Sequence, residues 1–147
     1  MNAAERIEIE QACERLVMAY THHVDHGEAS RIADLFAEDG CWVAAGVEME
    51  GRDQLRAGFA RREANRGRMS RHVCTNFLCE IDDADHARGV VYLSLYRHDG
   101  EEGRPVSPLE GPVLVGEYQD RFVRTPAGWK IASRRLEVSF VREGISA

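Results

Sequence analysis

A chain of 147 residues with a formal charge of -6 is the size of one domain and can bury a sizeable core without disulfide or metal support. Its basic residues are scattered through an acidic whole, which argues against a nucleic-acid-tracking surface, because such a surface needs a concentrated positive field. No run is long enough to cross a bilayer, and the opening MNAAERIEIEQ carries no apolar signal segment, so a cytoplasmic location is expected.

Residues 4–26, AERIEIEQACERLVMAYTHHVDH, set Ile9, Cys13, Leu16, Tyr20 and Val24 at three-and-four spacing, which predicts a helix with one buried stripe. Gly27 releases the chain, since a residue without Cβ takes the left-handed closing conformation at no steric cost. EASRIADLFAED predicts a second helix, with Ile32, Leu35 and Phe36 inward and Gly40 ending it, packed on the first as a hairpin. CWVAAGVEMEG reads as a short strand that turns at Gly46 and pairs back through Val47–Met49. GRDQLRAGFARREANRG predicts a third helix, whose Leu55 and Phe59 share a side that Arg62 extends.

Beyond Gly67 the periodicity becomes strand-like, and four strands are predicted at 71–82, 86–98, 112–125 and 128–141. DDAD and TPAG serve as turns, and HDGEEGRPVSPLEGP forms a longer connection at the rim. In the last strand, alternation puts Trp129, Ile131 and Ser133 on one face and Ala132, Arg134, Leu136, Val138 and Phe140 on the other. Helices first and a long-stranded sheet afterwards is an α+β pattern. The four cysteines, Cys13, Cys41, Cys74 and Cys79, form no CxxC pair and read as buried free thiols in a reducing compartment.

AYTHHVDHGEASRIADLFAEDGCW, GRDQLRAGF, SRHVCTNFLCEI and GEYQDRFVRTPAGWKIASRRL together resemble the SnoaL-like branch of the NTF2-like superfamily, across nearly the whole chain. That branch includes scytalone dehydratase, hexachlorocyclohexane dehydrochlorinase and the small subunit of ring-hydroxylating dioxygenases. The resemblance implies one NTF2-like domain over 1–147: a cone of three N-terminal helices packed on a strongly curved, mixed, mainly antiparallel sheet. It also implies a trimer or dimer. As an activity signal it is weak, because the superfamily mixes enzymes and non-enzymes on one cone.

In the dehydratase and dehydrochlorinase members an aspartate closing the first helix orients a histidine on the first long strand, and the histidine acts as base. Asp25 in HHVDHG and His72 in SRHVCTN match those positions. The physical case stands beside the family: imidazole titrates near neutrality, and a carboxylate on its far nitrogen fixes the tautomer and stabilises the imidazolium. The plainer reading is that Asp25 caps the turn at Gly27 while His72 satisfies a backbone carbonyl. Tyr20, one turn before Asp25, together with Tyr92 and Tyr96, supplies phenols that either donate to a developing oxyanion or serve as core aromatics. Trp42 and Phe59 are candidate apolar lining. Asn76 shares a face with His72 and Cys74 in an unbroken strand, which leaves Val73, Thr75 and Phe77 opposite; a bulge would change that parity. Arg134 and Arg135 lie on opposite faces, so at most one enters a pocket. The resemblance implies a leaving-group role for an arginine there, against a plain salt bridge. His22, His23, Asp25 and His26 are dense, but their helical directions diverge and no HExxH occurs, so no metal is expected.

The departures from the family also inform. The first helix has no lysine, which the dehydrochlorinase carries near its aspartate, and Tyr20 is the nearest polar substitute, so removal of water is favoured over dechlorination. CWVAAG offers no carboxylate, so the ketosteroid isomerase arrangement is not matched. The expectation is a cofactor-independent lyase, dehydratase-like, or isomerase. It would use an Asp-His dyad on a small, largely apolar cyclic substrate, with no nucleic-acid or membrane partner and self-association into a homo-oligomer. The alternative is a non-catalytic small-molecule-binding protein, or a structural subunit like that of the oxygenases.

Overall fold

The computed structural model describes residues 1–145, so the last two residues of the expected 1–147 domain lie outside the described chain. Helix α1 (Ala3–Asp25) is opened by Asn2, whose side chain accepts the Glu5 amide at 2.9 Å while the Glu5 carboxylate accepts the Asn2 amide at 2.8 Å. This reciprocal box satisfies donors that the first turn cannot pair internally. The helix buries Ile9, Cys13, Val17, Tyr20 and Val24, and Gly27 leaves it with φ of 75°.

The second helix is shorter than predicted. A 3₁₀ helix covers Ala29–Leu35, and Phe36 already opens strand β1 (Phe36–Ala44), so FAEDG is sheet rather than helix. The reason is tertiary: Phe36 pairs in parallel with Ile131 of the last strand, and its ring is fully buried. Strand β2 (Val47–Glu50), helix α2 (Gly51–Ala64), and strands β3 (Arg68–Ile81), β4 (His86–Asp99), β5 (Leu114–Thr125) and β6 (Gly128–Val141) follow. The six strands form one sheet in the order β2-β1-β6-β5-β4-β3; only the β1/β6 pair is parallel. The mixed, mainly antiparallel sheet curves beneath three helices.

Three register shifts, one between β3 and β4 and two between β5 and β6, decide which side chains look inward. Between Thr75 and Leu78 the β3/β4 register shifts, and Asn76 takes φ of 57°. Before this bulge Ser70, His72 and Cys74 face the helices; after it Phe77, Cys79 and Ile81 do. Asn76 is therefore exposed rather than aligned with His72, because the extra residue swaps the faces of everything beyond it. A second shift, where Phe122 pairs with Ile131 and Arg121 with Ser133, makes Ala132 the extra residue on β6. Ile131 and Arg134 consequently both face inward and are fully buried, contrary to the strict alternation expected; a further shift between Val115 and Gly116 inserts Ser139 on β6 and precedes Phe140, which is 71% exposed.

One apolar core results, running from the α1 stripe through Ile32, Phe36, Leu55 and Phe59 to Val91, Leu93, Tyr118 and Phe122. Its closed end is tight. A Cβ on Gly89 would sit 2.9 Å from both the Phe77 and Phe122 rings, so only glycine lets those rings meet edge to face at 6.3 Å.

Candidate active site

The open end is built differently. Asp25 is the last residue of α1, and β3 runs beneath it, so one carboxylate meets three donors of the strand. Its Oδ2 accepts the His72 backbone amide at 2.8 Å; its Oδ1 accepts the Ser70 hydroxyl at 2.8 Å and lies 2.6 Å from His72 Nδ1. The Asp25 and His72 side chains are 5% and 11% exposed. Burial penalises the charged carboxylate, but the ring, amide and hydroxyl donors outweigh it and hold its pKa below the ordinary 3.8. An ionised carboxylate only accepts hydrogen bonds. In the neutral ring, therefore, His72 Nδ1 carries the proton and Nε2 the lone pair.

His72 lines a cavity of about 180 Å³ whose walls are mostly aromatic and aliphatic, including Tyr20, Trp42, Phe59, Leu93 and Tyr118. The Tyr20 ring meets the imidazole edge on, with centroids 6.5 Å apart at 80°. Burial raises the Tyr20 pKa despite the nearby Arg134 charge, so the phenol stays neutral and able to donate. The Trp42 indole N–H is buried with no hydrogen-bond partner among the described residues. Burial pushes the Cys74 thiol up to about 11, which keeps it from being a thiolate nucleophile.

Several expected residues lie elsewhere. Tyr92 is 52% exposed on the convex face, because β4 buries Val91, Leu93 and Leu95 and alternation turns Tyr92 outward. Tyr96 is outward for the same reason and lines a neighbouring cleft of about 240 Å³ with Met69, Arg71 and His98. Neither tyrosine walls the His72 cavity, and nor does Asn76. Arg134 is inward and fully buried, but it is not part of that wall. It forms a fork on Asp120, at 2.8 Å through both Nε and Nη2, and lies over the rings of Tyr118 and Tyr20 at 3.9 and 4.3 Å. Burial opposes its charge; Asp120 outweighs that and raises its pKa. The helix-end histidines have separate partners: His23 Nδ1 is 3.1 Å from Glu28, and His26 Nδ1 is 2.8 Å from the His22 carbonyl. Among the described residues no three His, Cys, Asp or Glu side chains gather as a metal-binding group. No helix among them is long and apolar enough to cross a membrane.

Sequence reasoning missed Ser70, Tyr118 and Asp120, and the arginines Arg68 and Arg97. The signal for Ser70 was present, since it stands two residues before His72 and so shares its face. Asp120 had no such signal, because its partner Arg134 reaches the same face only through the β6 bulge.

The model of the SnoaL-like domain family matches residues 5–135. The chain belongs to that family. Among curated proteins, none matches it significantly. Among solved structures it is similar to a candidate scytalone dehydratase from Novosphingobium aromaticivorans, at 21% identity and a TM-score of 0.84 over 99% of this chain and 94% of the other. It is also similar to a candidate aromatic ring hydroxylase from the same organism, at 25% identity and a TM-score of 0.75 over 91% of each chain. A third is the hexachlorocyclohexane dehydrochlorinase LinA-type3 from Novosphingobium barchaimii, at 19% identity and a TM-score of 0.76 over 98% and 97%. At such identities the dehydratase and dehydrochlorinase likenesses speak to the fold.

Proposed function

We propose that this SnoaL-like protein is a cofactor-independent lyase, dehydratase-like, that uses His72 as base and Asp25 as the group that orients it. The observation that carries the reading is the 2.6 Å contact of His72 Nδ1 with a buried, ionised Asp25, on a histidine that also lines an apolar cavity. That volume slightly exceeds the roughly 150 Å³ known to hold one benzene ring, so the substrate is a small cyclic molecule of one or two rings bearing a carbonyl.

In the first step His72 Nε2 takes a proton from the carbon beside the carbonyl. The C–H electron pair becomes the enolate double bond, and the carbonyl electrons move onto oxygen. Trp42, whose indole N–H has no partner among the described residues, and Tyr20 both line the cavity and can donate to that oxygen. In the second step the carbonyl reforms, the double bond shifts to the adjacent pair of carbons, and the bond to a β-hydroxyl breaks. The proton on Nε2 goes to the departing hydroxyl as water, and the histidine ends as it began. Isomerisation uses the same first step and returns the proton to a different carbon.

The test follows proton abstraction alone. In D₂O, NMR follows exchange at the α-carbons of 2-indanone and of β-hydroxycyclohexanones with the wild-type protein and with His72→Gln. Exchange above the buffer rate that His72→Gln loses is expected; exchange independent of His72 overturns the reading. Binding of these ketones without any exchange favours the binding-only alternative. Self-association belongs to the same proposal. Val73, Ser94, Val115 and Phe140 pair side by side across β3 to β6 on the convex face, and Val73 and Phe140 are exposed there. Light scattering on Phe140→Glu is expected to report a smaller particle than the wild type.

A further inference from the structure

The carboxylate that orients His72 is itself held by a chain of donors that begins on another helix. Asp25 Oδ1 accepts the Ser70 hydroxyl at 2.8 Å, and the Ser70 oxygen accepts Arg62 Nη2 at 3.0 Å. Ser70 is 2% exposed, so solvent competes little for its hydroxyl. A guanidinium carries donors and no acceptor. Ser70 Oγ must therefore accept from Arg62, and its one hydrogen is left for Asp25. Without Arg62 that hydroxyl is a rotor with several directions open to it. With Arg62 it is aimed at the same oxygen that lies 2.6 Å from His72 Nδ1.

The placement follows from both elements. Arg62 continues the inward side of α2 from Leu55 and Phe59, at the three-and-four spacing of one helix face. Its Nη1 donates at 3.5 Å to the carbonyl of Asn65, the residue that closes the helix, where a cation suits the negative end of the aligned peptide dipoles. Ser70 stands one same-face step before His72 on β3, and both line the cavity with Arg62. Burial and then the Arg68 charge lower the Arg62 pKa, and the Asp25 charge is the largest cause opposing them. An arginine stays protonated through such a shift. A permanent cation thus stands one hydroxyl away from the carboxylate of the dyad.

Resting on the catalytic reading above, we infer that Arg62 is a positioning residue for the Asp25–His72 pair and acts on it through Ser70. In this role it touches no reacting atom. The guanidinium fixes the hydroxyl, the hydroxyl fixes one carboxylate oxygen, and the carboxylate fixes the ring. Helix α2, whose Phe59 and Arg62 also wall the cavity, thereby sets the aim of a base carried by β3 and oriented from α1.

The experiment is a double-mutant cycle on the whole protein, read in two ways. The first is D₂O exchange at saturating 2-indanone. Arg62→Gln and Ser70→Ala should each slow it about fivefold, the equivalent of one hydrogen bond of about 1 kcal/mol, with the half-saturating concentration unchanged. In the Ser70→Ala background Arg62→Gln should slow it no further, because residues that act as one unit are not additive. Arg62→Lys keeps a charged donor and should lie nearer wild type than Arg62→Gln. Arg66 pairs at the surface with Glu102, outside the cavity, so Arg66→Gln is the equal-charge control and should match wild type. A loss that falls only on ketone affinity, or one that persists in the Ser70→Ala background, makes Arg62 a ligand contact and overturns the inference. Exchange as fast in Arg62→Gln as in wild type overturns it too.

The second reading needs no turnover. In protein with isotope-labelled histidine and no ketone, the proton resonance of His72 Nδ1 should move in Arg62→Gln and should not move when Arg62→Gln is added to Ser70→Ala. An unmoved resonance in Arg62→Gln overturns the inference. If wild type exchanges no ketone, the lyase reading falls and the resonance alone decides for or against the relay. Exchange that depends on His72 and not on Arg62 keeps the lyase reading and removes the relay. Arg62→Met, which retains an apolar stem, runs the same cycle should Arg62→Gln fail to fold.

Discussion

Two carboxylates of this protein are buried beside a cationic or basic partner, and they do opposite things. Asp120 holds Arg134 in a two-bond fork with both side chains fully buried and two tyrosine rings stacked on the guanidinium. Asp25 holds His72 at 2.6 Å, a little closer than the 2.8 Å of the arginine fork, but the far side of the imidazole belongs to a cavity wall. The arginine cannot release its proton at any ordinary pH, whereas the histidine can. A sealed, permanently charged pair has no proton to exchange with a ligand, whereas an imidazole at a cavity wall is chemically able to do so. Burial and hydrogen-bond length alone do not separate the two, and access together with the chemistry of the partner does.

The largest expected effect breaks the open pair. His72→Gln removes the base and keeps the volume and a donor, so D₂O exchange of a bound ketone should fall by about 10²- to 10⁴-fold. Urea unfolding should change far less, because a glutamine amide can still donate towards Asp25 and only the edge contact with Tyr20 is lost. Breaking the sealed pair should invert that pattern. Asp120→Asn leaves Arg134 charged and buried without a counter-ion, and urea unfolding should show a loss of about 3–5 kcal/mol. Exchange measured on the molecules that remain folded should stay close to wild type. Replacing both partners together, Asp120→Leu with Arg134→Met, should recover most of that loss, since a packed apolar pair needs no compensation for desolvation.

A smaller effect separates the pairs by pH. Asp25 has its pKa lowered in the folded protein, so the folded state binds fewer protons than the unfolded chain and the carboxylate contributes stability above its ordinary range. That contribution is complete above the unfolded value, about 3.9, and is lost as pH falls through the lowered folded value. Wild type should therefore exceed Asp25→Asn in unfolding free energy at pH 6, and the gap should close on acidification below about pH 4. The smallest effect is that of Ser70→Ala, which removes one of three donors from Asp25 and should cost about 1 kcal/mol of stability.

Much of this was legible before the fold was known, and the misses share a cause. The Gly27 stop and the bounds of the last strand at 128–141 were read from glycine chemistry and periodicity, and they stand as read; the α1 stripe stands except that Val17, not Leu16, is its fully buried middle member. Asp25 and His72 were paired through a family resemblance and the chemistry of imidazole, and their 2.6 Å contact spans 47 positions of chain. FAEDG failed because Ile32, Leu35 and Phe36 satisfy helical spacing as well as they satisfy a 3₁₀ turn running into a strand; only the pairing of Phe36 with Ile131 decides. Tyr92 and Tyr96 failed on parity. Asn76 and the alternation of β6 failed at bulges, where one inserted residue reverses a face and no residue type announces it.

By itself, then, the sequence determined what is local: where helices start and stop, where the period changes from helical to strand-like, and which residue types are able to move a proton. The tertiary structure decided what depends on closure. Curving six strands under three helices required bulges, the bulges set which side chains look inward, and that in turn sealed Arg134 over Asp120 while leaving His72 open to a cavity rimmed by arginines. Periodicity is a property of neighbours along the chain, and the facing of a side chain in a curved sheet is a property of the whole ladder.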